Sequence, residues 1–303
     1  MSPRHIMSTT KPFIEPADLM ASLPLTNAGV AAIGSDSAQA SNAEGRTGLL
    51  IINADDWGRS QSTTDAILSC VLRGAVSSVS AMVFMDDSER AARIAKEQGI
   101  DAGLHLNLTT AFSAPECSPN LLKCHQQVAR YLSRSRFAQT VFHPGLIRSF
   151  EYLVKTQLDE FHRLYGRDPG RIDGHHHMHL CANVLLGNLL PAGTIVRRNF
   201  SFVRGEKGYA NRLYRQVVDH LLARKHKVVD YFFKLPPMQP VSRLPHILSL
   251  AHEYVVELET HPASPDESTF LVDGQLFLLT GDLPIARRFA VPDGFPRARK
   301  GRP

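Results

Sequence analysis

The sequence predicts an α/β protein folded as an irregular (β/α) barrel of about seven parallel strands. Short apolar segments of strand length alternate with longer segments of helical spacing, which is typical of a parallel sheet. Acidic or histidine residues follow the first, third, fourth and seventh of these apolar segments. The carboxyl ends of barrel strands meet at one mouth, whereas an open doubly wound sheet would not easily bring these strand ends together.

The first half of the chain contains three predicted strands. The first is wholly apolar, as expected for a strand that is buried on both faces. A helix with Ile67 and Cys70 on one face follows it and ends at Gly74, and the helix after the second strand ends at Gly99. A looser region follows at 110–144. These predicted strands span residues 49–53, 79–85 and 102–108.

The second half continues the alternation of helices and strands. Leu153, Phe161 and Leu164 approximate the apolar stripe of a helix over 150–165. The turn dipeptide Asp273-Gly274, with apolar residues on both sides, predicts a small β-hairpin that closes the domain. The predicted strands span residues 171–173, 194–198, 228–232 and 255–259, and the other predicted helices span 182–190, 209–223 and 243–251.

Composition divides the chain into three segments. Residues 1–46 lack periodicity and are predicted to be a disordered leader, residues 47–290 to form the barrel, and residues 291–303 to form a flexible basic tail. The formal net charge is +5, but no nucleic-acid-binding signature accompanies it. No apolar stretch reaches the roughly 18 residues of a membrane span, no secretory signal is evident, and no cysteines form a CxxC pair. These features predict a cytoplasmic protein, and a homodimer is compatible with the sequence.

Two adjacent aspartates, Asp55 and Asp56, follow the first predicted strand. Either of them could simply cap the following helix. Two carboxylates in one small site repel each other, and a metal cation removes this difficulty by binding one and leaving the other beside it as a base. The pair is therefore a candidate for a metal ligand and a general base.

His105 lies in the alternating segment 104–108, where it shares a face with Asn107 while the leucines take the opposite face. In isolation, such a histidine can be a hydrogen-bonded structural residue. Near the mouth of a barrel, it can be a metal ligand.

The segment 173–179 contains an aspartate followed by four histidines and is the strongest signal in the chain. A buried imidazole needs partners for both ring nitrogens, and imidazole is the commonest protein ligand for transition metals. If the backbone stays extended, His175 and His177 share one face. His175, which is closest to the strand, is the first candidate for a metal ligand and His177 is its rival, while Asp173 could orient an imidazole ring.

His261 ends the seventh predicted strand, because Pro262 favours extended geometry in the residue before it. This histidine could be a surface residue before a turn. It could also donate a proton to a leaving amine, because imidazole titrates near neutral pH.

Together these motifs resemble those of the YdjC-like carbohydrate deacetylases. Residues 53–58, NADDWG, are similar to the family's NADDFG signature, with Trp57 in place of the usual Phe. Residues 103–109 resemble its second motif, residues 173–179 its histidine-rich motif, and His261-Pro262 its C-terminal element. The motifs occur in the order typical of the family.

The resemblance implies an irregular (β/α) barrel that removes acetyl groups from N-acetylated sugars with one divalent metal ion, either Mg²⁺ or a transition ion such as Zn²⁺. The substrate could be a chito-oligosaccharide or a lipid-linked aminosugar. By motif position the resemblance implies three metal ligands, Asp56, His105 and His175. It also implies Asp55 as the general base and His261 as the general acid.

Other interpretations of the same residues are open. Two imidazoles and one carboxylate also form the facial triad of non-haem iron oxygenases, although those enzymes usually adopt a jelly roll. A barrel metal-dependent phosphoesterase would use a similar ligand set. A non-catalytic metal-binding protein would need neither Asp55 nor His261.

Overall fold

The structure, a computed structural model, describes residues 48–135, 137–202, 208–235 and 243–292, in which strands and helices alternate. The strands are β1 (Leu49–Trp57), β2 (Ser78–Ala81), β3 (Ala102–Leu106), β4 (Arg171–Gly174), β5 (Ile195–Val196), β6 (Tyr231–Lys234) and β7 (Val255–Thr260). The helices are α1 (Gln61–Leu72), α2 (Ser88–Gln98), α3 (Pro119–Ser133), α4 (Ile147–Tyr165), α5 (Ala182–Leu186), α6 (Tyr209–Ala223), α7 (Leu244–Leu250), α8 (Pro265–Val272) and α9 (Gln275–Thr280). Short 3₁₀ segments lie at Ala138–Thr140, Pro144–Leu146 and His175–Leu180.

All strand pairs in the sheet are parallel, in the order β5-β4-β3-β2-β1-β7-β6. The strands therefore follow one another around the sheet in chain order, as they do in a (β/α) barrel. The two edges approach each other, because Ile195 of β5 forms a parallel bridge with Lys227, shortly before β6. The Val196 N–H donates to the Lys227 carbonyl at 2.9 Å. The predicted irregular barrel of seven parallel strands is confirmed.

The two faces of the curled sheet carry different side chains. The outward face is apolar and packs against the helices, for example through Leu104, Ile172 and Leu258. The alternate residues point inward, where His105 and Asp173 contact each other across strands. This alternation concentrates polar groups inside the barrel and leaves the apolar core between the sheet and the helices.

The chain after α9 closes the amino-terminal end of the barrel. The Leu50 N–H donates to the Pro284 carbonyl at 3.1 Å, and the Ala286 N–H donates to the Leu50 carbonyl at 2.8 Å. The ring centroid of Phe289 then lies 4.5 Å from the guanidinium carbon of Arg171, the first residue of β4. The opposite end, where the strands finish, carries the histidines and the paired aspartates.

The predicted β-hairpin around Asp273-Gly274 is wrong. The dipeptide lies between α8 and α9, and Gly274 provides the left-handed turn with a φ of 78°. The helix before the dipeptide has Pro265 in its first turn together with acidic residues, a combination typical of a helix amino terminus. These helix signals outweigh the turn dipeptide, because an Asp-Gly sequence can separate two helices as well as two strands.

Several predicted boundaries also differ from the structure. β2 ends at Ala81, four residues early, and Phe84 beyond it has a φ of 60°. β5 contains only two residues, although the Arg197 N–H still donates to the Ile172 carbonyl of β4 at 3.1 Å. The predicted leader at 1–46 lies outside the described residues, as does the predicted tail from residue 293 onward. Within the described ranges, no helix combines the length and the apolar character that a bilayer crossing requires.

Candidate active site

The candidate site lies inside the barrel mouth, where β1, β3, β4 and β7 end. Asp55 and Asp56 reach it from β1, at a point where the strand is irregular. Asp56 has a φ of 72°, which a residue other than glycine rarely adopts, and the pairing with β2 shifts register between Ala54 and Trp57. A regular strand would direct neighbouring side chains to opposite faces, so the irregularity allows both carboxylates to enter one site.

Asp56, His105 and His175 converge on one point. The Asp56 Oδ1 atom lies 3.4 Å from His105 Nε2 and 2.9 Å from His175 Nδ1, and all three side chains are buried. Asp56 Oδ1 and His175 Nε2 nevertheless have no hydrogen-bond partner with good geometry among the described residues. A buried carboxylate oxygen that faces two imidazoles without a hydrogen bond fits a cation site, and two imidazoles with one carboxylate suit a divalent transition ion. The sequence singled out these three residues, and the structure brings them together.

Asp173 orients the ring of His105. Its Oδ1 atom lies 2.8 Å from His105 Nδ1, which leaves Nε2 facing Asp56. Its Oδ2 atom accepts a hydrogen bond from Ser80 Oγ at 2.5 Å and lies 3.1 Å from the Arg197 guanidinium. Burial opposes the charged carboxylate, but the Arg197 charge and the His105 hydrogen bond hold the pKa of Asp173 well below its usual range.

Arg197 is the residue that sequence reasoning missed. It is completely buried, and its NH1 and NH2 groups bind Asp55 in a fork at 2.7 and 2.8 Å. Its Nε atom donates to Glu257 at 2.7 Å, and NH1 also lies 3.2 Å from Glu259. The available signal was an arginine directly after a buried strand, in a chain where acids or histidines lie at several other strand ends. Arg197 links carboxylates from β1, β4 and β7.

The two oxygens of Asp55 differ in their remaining capacity to accept a proton. Oδ1 accepts hydrogen bonds from Arg197 NH2 and from Asn53 Nδ2, both at 2.8 Å. Among the described residues, Oδ2 accepts only from Arg197 NH1, and it lies 3.9 Å from His105 Nδ1. Because each carboxylate oxygen has two lone pairs, Oδ2 keeps one that can accept a proton.

His261 lies close to Asp55 and Glu259. One ligand-type atom from each of Asp55, Glu259 and His261 lies within 4.8 Å of the others, and His261 Nε2 is 3.9 Å from Glu259 Oε1. The backbone N–H of His261 donates to Glu267 at 2.6 Å, which fixes the strand end. Burial lowers the pKa of the His261 imidazole. The structure thus brings His261 close to Asp55, the predicted base.

The histidine run does not stay extended, so the expectation that His175 and His177 share one face is wrong. The segment His175–Leu180 forms a tight 3₁₀ turn in which His176 and His177 have φ values of 54° and 58°. This turn leaves His175 beside Asp56 and sends His177 toward Glu259, where the two side chains approach to 3.5 Å. The geometry favours His175 over His177 as the partner of Asp56.

The barrel interior contains more buried acids than buried arginines. Burial raises the pKa of Glu257 to about 7 despite Arg197, and burial with the Asp55 charge raises the pKa of Glu259. Burial opposes protonation of His105, but Asp55 and Asp173 raise its pKa to about 10. This negative potential attracts a cation. The buried acids are Asp55, Asp56, Asp173, Glu257 and Glu259, and the buried arginines are Arg171 and Arg197.

The fold and this site define a class of (β/α) barrel proteins that can hold one cation beside a carboxylate and an imidazole. A sequence model of the YdjC-like protein family matches residues 49–288. The chain belongs to the YdjC-like protein family, and the resemblance inferred from its motifs is confirmed.

Individual relatives match shorter parts of the chain. A chitooligosaccharide deacetylase of Serratia marcescens is 34% identical over 133 residues, which are 44% of this chain and 51% of that protein. A carbohydrate deacetylase of Mus musculus is 29% identical over 136 residues, which are 45% of this chain and 44% of that protein. This chain therefore spans about half the length of these curated relatives.

A solved structure supports the fold. The crystal structure of an Enterococcus faecalis V583 protein, provisionally described as a cellobiose-phosphate cleavage protein, aligns with a TM-score of 0.51 at 19% identity. The alignment covers 78% of this chain and 92% of that chain. At this identity the likeness concerns the fold alone.

Proposed function

We propose that this protein is a metal-dependent carbohydrate deacetylase that hydrolyses the acetamide of an N-acetylated sugar. The observation that carries the proposal is the convergence of Asp56, His105 and His175 beside the Arg197-bound carboxylate of Asp55. Two relatives that carry deacetylase names support the reaction class.

Asp56, His105 and His175 would hold one divalent ion, Mg²⁺ or a transition ion such as Zn²⁺. When bound, this ion supplies Lewis-acid chemistry, which polarises the acetyl carbonyl and lowers the pKa of a water molecule. Asp173 keeps His105 in the ring orientation that presents Nε2 to the ion, through the hydrogen bond at Nδ1.

Asp55 is the proposed general base. Its Oδ2 atom would accept a proton from the attacking water, while Arg197 holds the carboxylate in place. Burial opposes the charged form of Asp55, but the Arg197 charge, the His105 charge and the Arg197 hydrogen bonds together lower its pKa.

His261 is the proposed general acid. As the C–N bond of the acetamide breaks, a proton from the imidazole would pass to the departing amine nitrogen, and the products are acetate and a free amino sugar. One ring nitrogen of this partly exposed imidazole lies within 4.8 Å of an Asp55 oxygen, so the acid and the base would reach the same acetamide.

A partly exposed phenylalanine, Phe200, packs on the fully buried Phe232 and would offer its accessible part to a sugar ring. Phe200 and Phe232 stack with centroids 4.6 Å apart and planes 11° apart, and His177 packs edge-on against Phe200 at 4.5 Å. Such a surface suits the apolar face of a pyranose ring. A cytoplasmic location and a homodimer stay predictions.

Acetate release tests the proposal. The full chain, stripped with a chelator and reloaded with Mg²⁺ or Zn²⁺, would be incubated with N-acetylglucosamine and with short chito-oligosaccharides. We expect acetate release only from the reloaded protein. In Asp55→Asn and His261→Ala, kcat should fall about 100-fold to 10,000-fold, as general acid–base groups typically contribute.

Two control variants distinguish the loss of a catalytic group from a general effect of substitution on the protein. Asp65→Asn and His252→Ala change exposed residues of the same types and should release acetate at the parental rate. Parental activity in both Asp55→Asn and His261→Ala would contradict the proposal. Phosphate release from sugar phosphates without acetate release would favour the phosphoesterase interpretation.

A further inference from the structure

Helix α6 presents an apolar stripe to solvent along most of its length. Tyr209, Leu213, Val217 and Leu221 recur every four residues and are 80%, 48%, 51% and 36% exposed. At 1.5 Å per residue the stripe is about 18 Å long. A contiguous exposed apolar surface of this kind marks an interaction site.

The stripe is not needed to attach the helix to the barrel. Val218 and Leu222 lie on another face of α6 and are buried in the main hydrophobic core. Side chains four residues apart lie on one helix face, so the stripe and the packing face point in different directions. α6 therefore carries two apolar faces, of which only one serves the fold.

Basic residues surround the stripe. Arg212 lies beside it, and Arg224 and Lys225 follow its last residue; all three are exposed. The one acid of α6, Asp219, is already paired with Arg198 at 2.7 Å. A helix with an apolar face and basic flanks is typical of a surface that binds anionic membranes. Two copies of this face would bring like charges together, which disfavours a second copy of the chain as its occupant.

The stripe is connected to the mouth of the barrel. α6 follows β5, and in a (β/α) barrel such a helix begins at the mouth and runs back along the outside. An aromatic path joins the two regions, since the Phe200 and Phe202 ring centroids are 6.4 Å apart and the Arg215 guanidinium carbon is 4.7 Å from the Phe202 centroid. Tyr209 thus lies at the end of the helix nearest the site.

We propose that the exposed face of α6 docks the protein onto an anionic phospholipid surface. The apolar stripe would enter the headgroup region, while Arg212, Arg224 and Lys225 would contact lipid phosphates. Tyr209 suits this depth, because its ring is apolar and its hydroxyl group is polar. The inference concerns an interaction surface and does not depend on the proposed deacetylation.

Vesicle co-sedimentation tests the inference. The full chain would be mixed with vesicles of phosphatidylcholine alone or with added phosphatidylglycerol, at low and at high salt. We expect binding only to phosphatidylglycerol vesicles, weakened by salt. The double variant Leu213→Asp/Val217→Asp should lower the partition coefficient at least about tenfold. Arg212→Gln should lower it roughly fivefold, as expected for the loss of one cation near a charged surface.

Leu72→Asp is the matched control, because Leu72 is 66% exposed on α1, far from α6 in the chain. It should bind vesicles like the parent protein. Equal binding by the double variant, equal binding to phosphatidylcholine alone, or no binding to phosphatidylglycerol would overturn the inference. Sedimentation equilibrium tests whether a second copy of the chain covers this face instead. If the parent protein is a dimer and the double variant is a monomer, the face binds a second copy, and the membrane inference is overturned.

Discussion

Replacing Arg197 by Met would show how strongly the buried charge network depends on one guanidinium. Breaking a buried ion pair by removing one partner typically costs about 3–5 kcal/mol, because the remaining charge is left uncompensated. Arg197 is fully buried and faces several carboxylates at once, so we expect Arg197→Met to lose at least about 4 kcal/mol of unfolding free energy. The carboxylates within 3.2 Å of the guanidinium belong to Asp55, Asp173, Glu257 and Glu259.

The neighbouring arginine provides a matched control. Arg198 pairs with Asp219 at 2.7 Å, but both side chains are partly exposed, at 23% and 20%. A partly exposed pair contributes about 1 kcal/mol, and Arg198 NH1 also donates to the Val229 and Asp230 carbonyls, so Arg198→Met should lose about 2 kcal/mol. Urea unfolding with linear extrapolation at pH 7 measures both variants on one scale.

The pH dependence gives an independent check. In Arg197→Met the folded carboxylates should have raised pKa values, so the folded variant binds more protons than the parent protein as the pH falls. The difference in unfolding free energy between the parent protein and Arg197→Met should therefore become smaller as the pH falls from about 8 to about 5. The reasoning would be refuted if Arg197→Met lost no more unfolding free energy than Arg198→Met. It would also be refuted if the difference between the parent protein and Arg197→Met did not change with pH.

Three further outcomes follow from local environments. Burial lowers the pKa of His125 from 6.5 to about 4, so below pH 6.5 the unfolded chain binds a proton that the folded protein does not, and the free energy of unfolding falls. Between pH 7 and pH 5 the free energy of unfolding of His125→Phe should therefore fall by about 2 kcal/mol less than that of the parent protein. Equal losses in the two proteins would contradict this. Phe289→Ala should lose about 2 kcal/mol in urea unfolding, because the half-buried ring covers Arg171, and an unchanged midpoint would oppose it. Asp173→Asn should weaken metal binding about 10-fold to 100-fold in a calorimetric titration, because His105 loses its orienting carboxylate; parental affinity would argue against that role.

The sequence predicted the site best where a charged or histidine residue stands at the end of an apolar strand. The acids after the first strand and the histidines could be picked out as candidates because such groups are rarely buried without partners, and the alternation around His105 indicated its inward face. The order of the strands followed from the same logic, because a barrel was the topology that could gather these strand ends. The choice of Asp56, His105 and His175 as ligands came from the resemblance to the family's motifs.

Other features depended on backbone geometry that the sequence does not display. Asp56 and His177 adopt left-handed conformations, the first in an irregular part of β1 and the second in a 3₁₀ turn. The alternation of a regular strand therefore could not predict the direction in which their side chains point. Arg197 was missed because its role comes from carboxylates on other strands, which only the folded sheet brings within reach. The error at Asp273-Gly274 came from local turn chemistry that two flanking helices overrode.

Calorimetric titration of the chelator-treated protein with Zn²⁺ tests the central claim most directly. The parent protein should bind one equivalent, and Asp56→Ala, His105→Ala and His175→Ala should each abolish this binding, because each removes one of three converging ligand atoms. His177→Ala should retain it, since His177 lies beside Glu259 instead. A parent protein that binds no ion, or a His175→Ala variant that binds as tightly as the parent, would contradict the account.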